Sequence, residues 1–368
     1  MKILVCGGTG LVGNAIIRKL IEKGYKDIHA TFHTKEPSQA LSVKWHKADL
    51  RRQEETESLF KEIKPDWVFL ASAKVGGILA NSTYPAEFIY DNLAIAINVI
   101  HSAYKFSVKK LLNLGSSCIY PKHAPQPMKE EYLLTGSLEP TNEAYAIAKI
   151  SAIKLVRYYN QQYGTNFISV MPTNLYGPND NFNLQTSHVL PALIRKFHLA
   201  KLLEQGDIEG IKKDFKKYSI GFGLDKEVDF NDNDSILKVL SKLGIIPLTS
   251  HVLITIWGSG EVYREFLYVD DLADACVYLM ENIDAPDMAK LCNDYFVNIG
   301  TGKDVKIKDL ANLIKDIVGF KGEIKHDLTK PDGTPRKLLD VSKINQLGWK
   351  AKTSLEEGIK KVYSYYND

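Results

Sequence analysis

The sequence predicts an α/β fold, a doubly wound parallel sheet with helices on both faces and a smaller C-terminal lobe. Three observations carry this expectation. Short apolar runs alternate with segments of helical period through the first half of the chain. A glycine-rich turn stands directly behind the first run, and Tyr145 and Lys149 lie four residues apart at the start of a long helical segment.

The first run, Lys2-Ile3-Leu4-Val5-Cys6, leads without a gap into Gly7-Gly8-Thr9-Gly10-Leu11-Val12-Gly13. Glycines at 7, 10 and 13 suit a tight strand-to-helix turn, close approach of backbone to a pyrophosphate, and close packing of helix on sheet. The helical segment from Leu11 to Lys23 stops at Gly24, so strand, loop, helix and stop arrive in the order of a Rossmann dinucleotide site. An acid at the tip of the second strand would hold the ribose 2′-hydroxyl of NAD. Ile28 to Lys35 offers His33 and Lys35 instead, which favours a 2′-phosphate and hence NADP(H); either residue could also be a solvated loop side chain. After a third strand ending near Lys47, Asp49-Leu50 stands at the usual adenine contact, although an aspartate there could equally cap the next helix.

Trp67–Ala71 and Lys110–Leu114 read as further buried strands, with a helix around Phe88 to Tyr104 between them. Gly115-Ser116-Ser117-Cys118-Ile119-Tyr120-Pro121 follows a strand directly, at the carboxyl edge that faces a cofactor cleft. A serine there could hydrogen-bond a substrate carbonyl, or simply form the turn. In Tyr145-Ala146-Ile147-Ala148-Lys149 the phenol and ammonium share one helix face, so Lys149 can lie beside Tyr145 and beneath a nicotinamide ribose. A phenol of pKa about 10 is a poor acid or base at neutrality, and a fixed cation beside it draws it toward the working range. Alone, that spacing also describes an ordinary amphipathic helix. This helix runs to about Tyr163, and Phe167–Met171 is the last strand before the chain leaves for a second lobe.

Composition narrows the class. The 368 residues are enough for two domains, and 47 basic against 44 acidic residues, a net charge of +3, give no reason to expect nucleic acid or a membrane surface as partner. Cys6, Cys118, Cys276 and Cys292 have no metal-ligand spacing, which suggests reduced thiols, a cytoplasmic protein and no metal. No apolar run is long enough to span a bilayer.

The glycine loop, Ser116, Tyr145, Lys149 and Met171-Pro172-Thr173-Asn174-Leu175-Tyr176-Gly177-Pro178 together resemble the extended short-chain dehydrogenase/reductases. More narrowly, Ala73–Ile78, Gly115–Pro121, Glu139–Tyr145 and Lys330–Lys337 resemble the GDP-L-fucose synthase family, over nearly the whole chain apart from one insertion. The resemblance implies a bifunctional enzyme that inverts carbons 3 and 5 of GDP-4-keto-6-deoxy-D-mannose and then reduces carbon 4 with NADPH. It makes Cys118 the base and His188 the acid of the inversions, and gives reduction to Ser116, Tyr145 and Lys149. Reference pKa values of about 8.5 for Cys and about 6.5 for His suit proton exchange near neutrality. Ala71, Pro172, Asn174, Leu175 and His188 join the glycine loop, His33, Asp49, Leu50, Tyr145 and Lys149 as the implied cofactor contacts. Ser117, Asn174, Val189, Lys196, Trp257, Arg264 and Lys330 are the implied substrate contacts, with Lys196 and Arg264 neutralising the diphosphate. Trp257 could cover a sugar or base, or fill core. A homodimer through the helices near Phe88 and Tyr145 is also implied.

Three other readings remain at this point, one of them a regulatory protein on this fold that binds NADP without catalysis, which would have no use for an intact Ser116, Tyr145 and Lys149. A GDP-4-keto-D-manno-heptose, in the synthesis of a capsule or other surface polysaccharide, would need room beyond carbon 5. A nucleotide-sugar isomerase or dehydratase without net redox would have less use for Cys118 and His188. The segment between His198 and Trp257 is much longer than the family core needs. Leu199, Leu202, Leu203, Ile208, Ile211 and Phe215 recur at near-helical spacing, and a second helix reads from Asp234 as cap, through Ile236, Val239, Leu240 and Leu243, to Gly244 as stop. Asp229–Asp234 resembles a calcium loop only in part, since Leu240 stands where a bidentate Glu belongs. The expected domains are 1–172, completed by about 258–300 where Phe266–Glu281 and Tyr295–Gly300 return, and a substrate lobe of 173–257 and 301–368. The insertion falls at about 200–250, and we expect it to shape the sugar pocket.

Overall fold

The computed structural model describes residues 1–37, 41–330 and 332–367. Its first part contains β1 (Ile3–Cys6), α1 (Leu11–Glu22), β2 (Ile28–Phe32), β3 (Lys44–Lys47), α2 (Gln53–Ile63), β4 (Trp67–Leu70), α3 (Ile78–Thr83), α4 (Pro85–Lys105), β5 (Lys110–Leu114), α5 (Glu143–Tyr163), β6 (Phe167–Pro172) and β7 (Asn174–Tyr176). Then come α6 (Val189–Glu204), α7 (Ile208–Lys217), α8 (Asn233–Lys242), β8 (Ile245–Pro247), β9 (Val252–Trp257) and β10 (Tyr263–Tyr268). The remainder is α9 (Val269–Asn282), α10 (Ala285–Leu291), β11 (Phe296–Ile299), β12 (Asp304–Lys306), α11 (Ile307–Val318), β13 (Glu323–Asp327), β14 (Arg336–Lys337), α12 (Ser342–Gln346) and α13 (Leu355–Asn367). The chain forms two compact units, one of residues 1–179, 265–303 and 338–353, the other of 180–264, 304–337 and 354–368.

The first unit is built on a seven-stranded parallel sheet in the order β11-β6-β5-β4-β1-β2-β3. Side chains alternate across a strand, so Ile3 and Val5 join one core with Ile16, Leu20, Leu272 and Cys276, while Leu4 and Cys6 join another with Phe60, Ile100 and Val156. Because both faces are covered, β1 is apolar throughout. The strand order reverses between β1 and β4, and the carboxyl ends of these two strands frame the crevice where α/β sheets bind ligands. Phe296–Ile299 of β11 pair with Ser169–Pro172 of β6, and Phe266–Tyr268 of β10 with Asn174–Tyr176 of β7. Residues 338–353 also belong to this unit, where Leu339 bridges to Met128 and donates its N–H to Glu265 at 2.9 Å.

The second unit holds a three-stranded sheet, β13-β9-β8, in which β13 runs parallel and β8 antiparallel to β9. The near-helical run from Leu199 to Phe215 is broken: α6 ends at Glu204, Gly206 adopts φ +70°, and Asp207 caps α7 by accepting from Gly210 N–H at 2.8 Å. A left-handed glycine followed by an acid cap ends one helix and begins another. The second predicted helix is α8, but its cap is Asp232, which accepts from Asp234 N–H at 2.9 Å; Asp234 lies inside the first turn. Gly244 (φ +75°) then turns the chain into β8.

One fully buried cation, Arg195, ties this segment to its unit. It donates to Asp214 at 2.9 Å and to the carbonyls of Phe182 (2.9 Å), Ser219 (2.6 Å) and Tyr218 (2.8 Å). The Tyr366 hydroxyl donates to the same Asp214 carboxylate. A buried guanidinium is tolerated because its donors and its charge are matched.

Candidate active site

In the first unit, the glycine loop closes the end of β1 against the end of β4. Gly7 lies at φ +82°, donates to Thr31 Oγ1 at 2.9 Å, and leaves only 2.8 Å between a would-be Cβ and the Ser72 backbone. A Cβ on Gly13 would stand 2.1 Å from the Gly7 carbonyl oxygen. Gly10 begins α1 as an N-cap with no side-chain cap, so the backbone N–H groups of the Leu11-Val12-Gly13 turn have no cap partner. This cradle fits a pyrophosphate at a helix N-terminus. Ala71 closes the far wall, donating to Cys6 O at 3.1 Å.

Asp49 does not cap the following helix, whose N-cap is Arg52. Instead Arg51 grips both its oxygens at 2.8 Å, which pulls the Asp49 carboxyl down to about 2. Arg51 was not singled out from the sequence, although a basic residue two positions beyond the acid was visible. His33 is half-exposed, 3.8 Å from Asp49, and Leu50 is buried in the core.

Beyond β5, Ser116 caps a short 3-10 turn, its hydroxyl accepting from Cys118 N–H at 3.3 Å, with Ser117 buried behind it. The first turns of α5 bring Tyr145 and Lys149 to the same place. Lys149 Nζ donates to the Leu114 carbonyl at 2.8 Å and lies 5.7 Å from the Tyr145 ring centroid, and Phe88 of α4 meets that ring edge-on. Burial pushes the Tyr145 phenol above its ordinary value; the nearby Cys118 adds to the rise, and a hydrogen bond from Ser116 opposes it. Burial pushes the Lys149 ammonium down to about 8. The lowering of the Tyr145 phenol expected from Lys149 is thus not found, and burial sets the direction instead. Cys118 receives a hydrogen bond from Asn142 Nδ2 at 3.3 Å. Pro172 ends β6, and Leu175 and Asn174 lie on β7, the latter donating to Glu265 O at 2.8 Å.

In the second unit, His188 occupies the N-cap position of α6 without using its side chain as a cap, and Val189 begins the helix. The imidazole is solvent-accessible yet enclosed enough that desolvation lowers its pKa. Lys196 lies two turns further along α6, donates only to the Thr255 carbonyl at 2.7 Å, and is pushed down to about 8 by burial. Arg264 is also held by carbonyls alone, those of Tyr263 (2.7 Å) and Thr334 (2.6 Å), with burial lowering its pKa. Among the described residues neither cation bonds a carboxylate, although the charge of Asp332 acts on Arg264, and two such partly buried cations suit a doubly charged diphosphate. Trp257 is 57% exposed at the end of β9, and Lys330 stands 5.2 Å from its ring centroid. Pro331, within the Lys330–Lys337 string, lies outside the described residues. Among the described residues no group of three or more His, Cys, Asp or Glu is placed to hold a metal, and no helix is long and apolar enough to cross a membrane.

A parallel sheet with a glycine cradle and a Ser-Tyr-Lys cluster at its carboxyl edge is the arrangement of a nicotinamide-dependent oxidoreductase. The NAD dependent epimerase/dehydratase family model matches residues 3–213 and 233–300. GDP-L-fucose synthase 1 of Arabidopsis thaliana is 48% identical over 365 residues, 99% of this chain and 93% of that protein. Among solved structures, a GDP-6-OMe-4-keto-L-xylo-heptose reductase from C. jejuni aligns at TM-score 0.85 and 39% identity, over 99% of this chain and 97% of that one. A GDP-mannoheptose C4 reductase from Campylobacter jejuni with NADP bound aligns at TM-score 0.81 and 39% identity, over 100% and 98%. The chain belongs to the GDP-L-fucose synthase family of epimerase/dehydratase proteins.

Proposed function

We propose that this protein is an NADPH-dependent 3,5-epimerase/4-reductase of a GDP-linked 4-keto sugar, converting GDP-4-keto-6-deoxy-D-mannose to GDP-L-fucose. The observation that carries this reading is the cluster of hydroxyl, thiol, phenol and ammonium made by Ser116, Cys118, Tyr145 and Lys149 at the end of one strand. Protons on carbons 3 and 5 are acidic because their loss gives an enolate of the carbon-4 ketone. Cys118 removes such a proton, and His188 returns one to the opposite face. NADPH, when bound, supplies hydride to carbon 4. Ser116 and Tyr145 hold the ketone oxygen, and Tyr145 gives its proton to the alkoxide. Lys196 and Arg264 bind the diphosphate, and Trp257 with Lys330 covers the guanosine. His33, Lys35 and Arg51 supply positive charge for the 2′-phosphate, which the glycine loop itself lacks.

A specific observation favours a second substrate, a GDP-4-keto-heptose: solved relatives of that activity align at TM-scores of 0.81 and 0.85. The stretch 214–232, which the family model leaves unmatched, also falls within the long segment between α6 and β9. The exposed Tyr90, Ile97 and Tyr104 of α4 and Tyr158 and Tyr163 of α5 support a homodimer through these helices, checked by light scattering. Four free cysteines suit a cytoplasmic enzyme. A role in capsule polysaccharide synthesis is the use we propose for such a product.

The test is mass spectrometry of the nucleotide sugar formed from GDP-4-keto-6-deoxy-mannose and NADPH in deuterium oxide. Two carbon-bound deuterons in a reduced product support inversion at both carbons, and one means a single inversion. Reduction of a GDP-4-keto-heptose alone establishes the second reading, and turnover of neither overturns both.

A further inference from the structure

Asn142 closes a loop that is held in place on its own side. Its N–H donates to Glu139 O at 3.1 Å, the Glu139 carboxylate accepts from Thr141, and Lys122 pairs with Glu139 at 3.1 Å. The residue is the N-cap of α5, a position where Asn normally bonds the backbone of its own helix. Here the side chain makes no cap bond. Its amide N–H points to Cys118 Sγ at 3.3 Å, and its amide oxygen is buried with no partner. An asparagine that gives up its local bond and leaves a buried acceptor open is arranged for something outside its helix.

We infer that Asn142 is a positioning residue for the carbon-acid step, fixing the Cys118 sulfur through its N–H. This rests on the reading of Cys118 as base. The thiolate that takes a carbon-bound proton, becoming a thiol as the enolate forms, gains from a fixed donor beforehand, because hydrogen bonding to the charged form favours it. A neutral amide supplies that donor without adding a second cation beside Lys149. It also sets the direction of the sulfur lone pair, on which proton transfer from carbon depends.

The experiment uses full-length Asn142→Ala, Asn142→Asp and Cys118→Ser. It measures deuterium wash-in to GDP-4-keto-6-deoxy-mannose across pH and the rate of Cys118 alkylation by iodoacetamide, mapped by peptide mass spectrometry. Losing one hydrogen bond to a charged sulfur predicts exchange slowed roughly 10–100-fold in Asn142→Ala. The pH midpoint for alkylation is expected to move up. Asn142→Asp sets a carboxylate against the sulfur and is expected to move the midpoint further in the same direction. Wild-type exchange in Asn142→Ala overturns the inference, and so does slowed exchange with an unmoved midpoint, which marks a structural role only. Exchange that survives in Cys118→Ser overturns the base assignment itself, a result distinct from either.

Discussion

Asp214→Ala tests what the segment between α6 and β9 contributes. The substitution removes the only carboxylate bonded to Arg195 among the described residues, and the Arg195 side chain is fully buried. The carbonyls of Phe182, Tyr218 and Ser219 remain, at 2.6 to 2.9 Å, but dipoles alone then face an uncompensated cation, and Tyr366 loses its acceptor. Removing one partner of a buried pair costs about 3–5 kcal/mol; at roughly 2–4 °C per kcal/mol, the second unit's unfolding midpoint should fall about 6–20 °C. Scanning calorimetry reads that shift, and titration calorimetry with GDP reads a second effect. Lys196 follows Arg195 on α6 and points to Thr255, so loosening the helix at one residue disturbs the anion site at the next. Replacing both partners, Arg195→Met with Asp214→Leu, should recover much of the lost stability, because it removes the unpaired charge. A midpoint in Asp214→Ala within about 1 °C of wild type refutes the assignment of this pair as the anchor.

Gly13→Ala should weaken NADPH binding roughly 5–150-fold by fluorescence titration, the equivalent of about 1–3 kcal/mol of overpacking, since its Cβ would overlap the Gly7 carbonyl oxygen at 2.1 Å. GDP affinity should fall as pH rises past about 8, because burial has already lowered the Lys196 pKa to about 8 and the ammonium is the form that binds an anion. The decline is at most about tenfold per pH unit for one proton, and in Lys196→Arg it should be absent. Trp257→Ala should raise the Kd for GDP at least about fivefold, the lower end of base–aromatic stacking, and calorimetry at fixed pH checks this.

Where local periodicity and local chemistry agree, the sequence was legible. Ile3–Cys6, the glycine turn and the helix ending before Gly24 were readable in order because strand, loop and cap each leave a residue signature within a few positions. Tyr145 and Lys149 were readable because a helix converts a spacing of four into one face. The break at Gly206-Asp207 was missed because apolar positions on two successive helices happened to keep a common period. Arg195 was invisible for another reason. Its partner Asp214 lies 19 residues along the chain and the Tyr366 that bonds the same carboxylate 152 beyond that, and no local pattern announces a charge about to be buried. Asn142 stood inside a recognised string, yet its contact with Cys118 depends on how a loop closes on a strand end.

Two protonation shifts bear on the reduction proposed for Ser116, Tyr145 and Lys149. In water a phenol of pKa about 10 and an ammonium of about 10.4 give up protons with similar reluctance. Burial treats them oppositely, because it penalises the charged form of each. Tyr145 is driven up, so it remains a neutral phenol and holds the proton until an alkoxide, a far stronger base, forms at carbon 4. Lys149 is driven down to about 8, so its proton is the more mobile of the two near neutrality. Its hydrogen bond to the Leu114 carbonyl keeps the nitrogen at the strand end, where it can restore charge balance once Tyr145 has given up its proton. In the reduction proposed here the phenol would pass its proton to the oxygen at carbon 4, and the lysine, the more acidic of the two groups, would reprotonate the phenol.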